Sequence, residues 1–146
     1  MKAQPIVLFL DRTNSDRSLI AEALLRRHAG RHLEVHSAGI EPTGVSPVVA
    51  KVLAEIGIRG EELRSKSVSE FLGRIPVTYA ILLGERDEPE SPRLYPFATR
   101  TLRWECPDPS RETVPAEQRL RRTRETRAWL DARIREWAST TVTRAA

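Results

Sequence analysis

One cysteine, Cys106, is all the thiol that this chain of 146 residues possesses. An internal disulfide and any multi-cysteine metal site are thereby excluded. Long apolar runs are missing as well, since no stretch approaches the roughly 20 residues that cross a bilayer. Met1-Lys2-Ala3-Gln4 leads straight into a strand pattern without the layout of a signal peptide, so no leader and a cytoplasmic location are expected. Lysine is scarce, and arginine carries most of the positive charge behind a formal net charge of +4. Much of that excess lies between Arg119 and Arg135, where it is interleaved with Glu125 and Asp131 at helical spacing. That pattern reads as a solvated helix face with internal ion pairs. No aromatic stacking platform stands among those arginines, which argues against a nucleic-acid partner. His28, His32 and His36 are spaced four apart, but a helix carries the first and a strand the last, so no metal site and no cofactor are expected from them.

What is present fits one α/β domain spanning residues 1–146. Apolar residues make up 40% and charged residues 30%. A chain of this length buries more than about two-thirds of its unfolded surface. The near-continuous apolar run at 6–10 is a strand covered on both faces. A helix over 18–28 turns Ile20, Ala21, Leu24 and Leu25 inward and stops near Gly30. Residues 33–36 read as a second strand. Ser46-Pro47 gives an N-cap and a proline at the first helical position, followed by the stripe Val49, Val52, Leu53, Ile56 and a stop at Gly57. Ser67 with Glu70 is a capping-box pattern for a short helix ending at Leu72. Residues 77–83 form a third strand, 86–96 a polar, proline-rich loop, and 101–104 a weaker fourth strand. A last helix over about 116–139 faces the core with Leu120, Thr123, Leu130, Ile134 and Trp137. Strands alternating with helices predict a doubly wound, flavodoxin-like sheet of four parallel strands, with its ligand site at the strand C-terminal ends.

At the end of the first strand stands Asp11-Arg12-Thr13-Asn14-Ser15-Asp16-Arg17-Ser18, and a helix begins at once. A strand turning into a helix N-terminus aims unpaired N–H groups and the helix dipole at one spot, which makes an anion cradle. Arg17 closes that cradle with a planar fork suited to oxyanions. Asn14 is suited to hold the loop through side-chain hydrogen bonds and a left-handed backbone. Asp108, between Pro107 and Pro109, is rigidly placed, as a general acid would be.

These residues resemble the low-molecular-weight tyrosine phosphatase superfamily, whose loop reads Cys-x5-Arg-Ser with Asn at the fourth place. Asn14, Arg17 and Ser18 fill the matching places. Ser37-Ala38-Gly39, Glu41-Pro42, the helix start Gly44-Val45-Ser46-Pro47, Glu55-Ile56-Gly57-Ile58 and Ser65-Lys66-Ser67 are similar to the arsenate reductase branch. The segment from Leu102-Arg103-Trp104 to Pro107-Asp108-Pro109 resembles the aromatic-then-Asp-Pro motif. There the resemblance makes Asp108 the general acid. The same resemblance implies a phosphate, arsenate or sulfate ligand. It also places a nucleophilic cysteine where this chain has Asp11, a second loop cysteine at Asp16, a glycine at Thr13, and a redox cysteine pair at Gly84 and Ser91.

Every family cysteine is replaced. A thiolate stabilised by the cradle attacks phosphorus or arsenic, whereas a carboxylate there is satisfied by the same donors. Asp11 is therefore expected to act as a built-in plug, ionised and paired with Arg17, with Asp16 adding a second negative charge near the site. The function that follows is a degenerate phosphatase or arsenate reductase-like protein that binds an oxyanion or a partner protein. The alternative is an active enzyme in which Asp11 is an acyl-phosphate nucleophile, Arg17 the clamp and Asp108 the acid. Cys106 is read as a small buried hydrophobe.

Overall fold

The computed structural model describes residues 3–145; Met1 and Lys2, on which the expectation of no leader partly rests, lie outside the described residues. Four parallel strands form one sheet in the order β2-β1-β3-β4, with β1 at Ile6–Asp11, β2 at Glu34–Gly39, β3 at Val77–Leu82 and β4 at Ala98–Arg103. Three α-helices accompany it, α1 at Arg17–Ala29, α2 at Pro47–Ala54 and α3 at Ala116–Ala145. β1 is central, and Leu10 pairs in register with Ala38 on one side and Leu82 on the other. Alternation along the strands divides the core in two. Val7, Phe9, Ile81 and Leu83 pack with Leu19, Ile20, Leu24 and Leu25 of α1, Val49, Val52 and Leu53 of α2, and Leu130 and Ile134 of α3. Burying each such side chain contributes roughly 1.5–3 kcal/mol. Edge-on contacts join Tyr79 to Trp137 at 5.2 Å and Trp104 to Trp137 at 5.8 Å, tying α3 to the sheet.

The opposite face carries Leu8, Leu10, Ala80 and Leu82, and its cover is thinner. Phe71 and Tyr95 lie over it from irregular segments, with Leu72 and Ile75 beside them. The expected short helix over 67–72 is a single 3-10 turn at Val68–Glu70. Its capping box does not close. The Ser67 hydroxyl accepts from the Ser69 amide, while the Glu70 carboxylate accepts from both Nη atoms of Arg64.

Other boundaries move for identifiable reasons. β2 continues three residues past His36, because Phe9, Leu10 and Asp11 of β1 pair with Ser37, Ala38 and Gly39. β4 starts at Ala98, recruited by pairing with Val77 despite its polar sequence. α2 ends at Ala54 and a left-handed Gly57 (φ 79°) redirects the chain beyond it. The Ser46 hydroxyl makes no capping bond to α2. α3 runs on past Ser139. Its arginines are neutralised largely across helices: Arg124 and Arg127 both pair with Glu55, and only Arg135 with Asp131 is an intrahelical pair in that stretch. Among the described residues no helix is long and apolar enough to cross a membrane.

Candidate functional site: the loop after the first strand

The loop from Asp11 to Ser18 is pinned from outside. The carbonyls of Asp11, Arg12, Thr13 and Ser15 accept from the amides of Ile40, Glu41, Thr43 and Ser46, at 2.8–3.3 Å. Since a trans peptide sets each N–H opposite the preceding C=O, the amides of residues 12, 13, 14 and 16 are turned to the inner side. β2 must come close for this to happen. A Cβ at Gly39 would stand 2.7 Å from the Asn14 nitrogen, so only glycine admits the loop there. Asn14 takes the expected left-handed backbone (φ 45°). Its side chain donates to the hydroxyls of Ser18 (2.7 Å) and Ser37 (3.0 Å) and accepts from the Lys66 amide (2.7 Å).

Beneath Asn14 lies a buried ion pair that the sequence reading did not find. Glu22 of α1 accepts from the Ser37 hydroxyl at 2.8 Å and from the Lys66 ammonium at 3.3 Å, and the ammonium also donates to the Arg64 carbonyl. Burial pushes the Lys66 pKa below its ordinary value, and Glu22 opposes that shift. One signal was available: Glu22 stands one turn after Ser18 on the loop-facing side of α1, amid apolar neighbours.

Asp11 fills the centre of the loop. One carboxylate oxygen accepts from the Asn14 amide at 2.8 Å, and the other from the Ser18 amide at 3.0 Å. The second bond satisfies a first-turn donor of α1, whose N-cap residue Asp16 makes no capping bond of its own. The expected pairing with Arg17 is weaker than the sequence implied, with Nε at 4.0 Å from Asp11 Oδ2, outside hydrogen-bond range. Nor does the Asp11 carboxyl keep an ordinary acidity. Burial pushes its pKa up, against the lowering effects of Arg17 and the two amides.

Arg17 has a different partner, which the sequence reading also missed. Glu88, from the loop between β3 and β4, takes Nη1 at 2.8 Å and Nη2 at 3.0 Å in a buried end-on pair. Nη1 also donates to the Cys106 carbonyl at 3.0 Å. Asp108 stands 3.8 Å from Nη2, and its other oxygen accepts from the amide and hydroxyl of Ser110. Three carboxylates thus lie within 4.0 Å of one guanidinium. Burial works against the Arg17 charge, but the Glu88 bond and the Asp11 and Asp108 charges hold its pKa above that of an ordinary arginine. No periodicity marked Glu88, which stands in a polar loop among other acidic residues.

The remaining loop residues turn elsewhere. Asp16 does not add its charge to the anion position. It accepts from Arg119 at 2.8 Å and from the hydroxyls of Ser15 and Ser46, tying the loop to α3 and to the start of α2. The Thr13 and Ser15 hydroxyls share a bond at 2.9 Å, and Arg12 reaches Glu90 at 3.0 Å on the rim. Cys106 is fully buried in the helix-covered core, where burial pushes its thiol up to about 12. His28 and His36 pair separately with Asp131 and Glu34 near the surface. Gly84 and Ser91 do come together: a Cβ on Gly84 would lie 1.7 Å from the Ser91 hydroxyl oxygen.

Comparison with known proteins agrees with this architecture. The family described as low molecular weight phosphotyrosine protein phosphatase matches residues 6–145. The arsenate reductase of Halalkalibacterium halodurans is 29% identical over 137 residues, covering 92% of this chain and 96% of that protein. That of Bacillus anthracis is 30% identical over 122 residues, covering 83% and 89%. Among solved structures, the thioredoxin-dependent arsenate reductase of Corynebacterium glutamicum superposes with a TM-score of 0.73 at 29% identity, over 99% of this chain and 65% of that one. An arsenate reductase in the phosphate binding state superposes at 0.74 with 22% identity, over 98% and 100%, a likeness of fold. The loop with Asn14, Arg17 and Ser18, the parallel sheet that presents it and these matches together place the chain in the low molecular weight phosphotyrosine protein phosphatase family, on its arsenate reductase branch.

Proposed function

We propose that this chain is a member of its family without thiol chemistry, and that it acts by binding a partner protein or an oxyanion instead of turning one over. The observation that carries the reading is at the loop centre: Asp11 stands where the family has its cysteine, and both its oxygens are taken by the Asn14 and Ser18 amides. A nucleophile needs a free electron pair aimed at its target. Burial, which raises the Asp11 pKa, further lowers the share of carboxylate available. An incoming oxyanion would also meet Glu88 and Asp108 beside Arg17. Like charges about 4 Å apart at an effective dielectric of ~20 repel by on the order of 4 kcal/mol. With Gly84 and Ser91 at the places of the redox pair, reduction coupled to thioredoxin has no thiol to use. A cytoplasmic place goes with this reading.

The test is turnover of an aryl phosphate, and of arsenate with thioredoxin present, by the unmodified protein and by Cys106→Ser. No turnover above background is expected from either. Turnover that survives Cys106→Ser would instead establish Asp11 as a nucleophile, with Arg17 as clamp and Asp108 as acid.

A further inference from the structure

Asp108 has a second neighbourhood besides the Arg17 clamp. A cleft of about 350 Å³ runs between residues 106–109 and the middle of α3, lined by Pro107, Asp108, Pro109, Arg122, Glu125 and Trp129 among others. That volume is within the range of roughly 300–1,000 Å³ typical of small-ligand sites. Glu125 and Trp129 are four residues apart on α3, so a carboxylate and an indole share one helix face. Trp129 is 40% exposed. Trp104, by contrast, carries Arg133 over its ring at 5.4 Å. Among the described residues no cation covers Trp129.

Both cations near the cleft are already engaged. Arg17 is held by Glu88 at 2.8 Å, and Arg122 by Glu112 at 3.6 Å. Asp108 uses Oδ1 for both Ser110 bonds, and its Oδ2 makes no contact shorter than 3.8 Å to a charged group. Glu125 makes no ion pair and no hydrogen bond among the described residues. Two carboxylates without a close cation therefore flank a bare indole in a concave site. An indole face attracts cations through its quadrupole, and a planar guanidinium can stack on it while its edge donors meet carboxylate oxygens. A phosphate or an acidic peptide would be repelled by the same two carboxylates.

We propose that this cleft is a binding site for a guanidinium group, stacked on Trp129 and held by Glu125 and Asp108. The proposal deepens the binding reading above by naming a ligand chemistry. The two fail separately, because turnover of a phosphate ester would remove the first without altering binding here.

The test is a titration with N-acetyl-arginine amide, its neutral isostere N-acetyl-citrulline amide, and a pentapeptide with one central arginine. Trp129 is followed by its indole N–H resonance, assigned with Trp129→Phe. Arginine amide is expected to bind at least about tenfold more tightly than citrulline amide, with that preference lost in the double variant Glu125→Gln/Asp108→Asn. Both substituted residues make few contacts, so an unchanged melting temperature shows that the fold is kept. A tighter pentapeptide would assign the site to a partner protein, and equal binding of amide and peptide to a free guanidinium compound. Equal binding of arginine and citrulline amides, or an undiminished preference in the double variant, would overturn the proposal.

Discussion

Glu88 and Arg17 meet edge to edge in a buried pair with two hydrogen bonds, 71 residues apart in sequence. The pair fastens the irregular segment between β3 and β4 to the loop after β1. Removing one partner of a buried pair strands the other charge, which costs about 3–5 kcal/mol. Glu88→Ala should therefore lower the unfolding free energy by about that amount, and Glu88→Gln by less. Denaturant unfolding measures this, and an unchanged midpoint in Glu88→Ala would show that the pair carries no net stability.

Asp11 should show a pH dependence opposite to that of a paired surface carboxylate. Its folded pKa lies above the ordinary value of 3.8, so between the two values the folded state binds more protons than the unfolded one. Its contribution to stability is then fully present below about 3.8 and is lost as pH rises through the folded value. Asp11→Asn removes this titration and leaves a pH-independent difference in hydrogen bonding. The stability of Asp11→Asn relative to the unmodified protein should rise with pH above about 4; a flat difference from pH 4 to 8 would contradict the shift.

Asp11→Cys alone should restore at most weak phosphatase activity. The obstacle is not Asp16, whose charge is met by Arg119 at 2.8 Å. It is an Arg17 already bound end-on by Glu88, together with Thr13 where the family often has glycine. Misplacement by ~1 Å can cost on the order of 100-fold in rate. The rate on an aryl phosphate, measured in a Cys106→Ser background, checks this; activity equal to an ordinary family member would show that the loop stays competent.

Cys106 should resist modification in the folded protein. Its thiol is fully buried and its pKa is pushed up to about 12, so almost no thiolate exists at neutral pH. Reaction with an aryl disulfide should proceed at the rate of unfolding and accelerate with denaturant, and fast labelling under native conditions would place the thiol elsewhere.

Sheet, helices and loop were legible because each leaves a local trace: the apolar run at β1, the stripe from Val49 to Ile56, and the Asn14, Arg17, Ser18 spacing. Asn14 could be assigned its backbone because few residue types adopt that conformation. Glu88, Glu22, Lys66 and Arg119 left no such trace. Each is a charged residue whose partner is 44 to 103 positions away, and distance along the chain hides a pairing that only folding creates. The same limit explains Asp16, which reads as a neighbour of the anion site and is in fact a tie to α3. The thin cover of Leu8 and Leu82 went unseen because Ser67 and Glu70 spell a helix start that their side chains then decline to form.

The contact between Gly84 and Ser91 bears on how thiol chemistry could return to this chain. A side chain at 84 meets not only the Ser91 hydroxyl but the Ser91 Cβ at 2.9 Å, with a Glu88 oxygen at 3.4 Å. Disulfides need about 3.5–4.5 Å between the two Cβ atoms. Gly84→Cys by itself would push residue 91 away and strain the hold of Glu88 on Arg17, before any sulfur found a partner. The path back is therefore uphill at its first step, and the glycine works as a ratchet that keeps the chain on the thiol-free side.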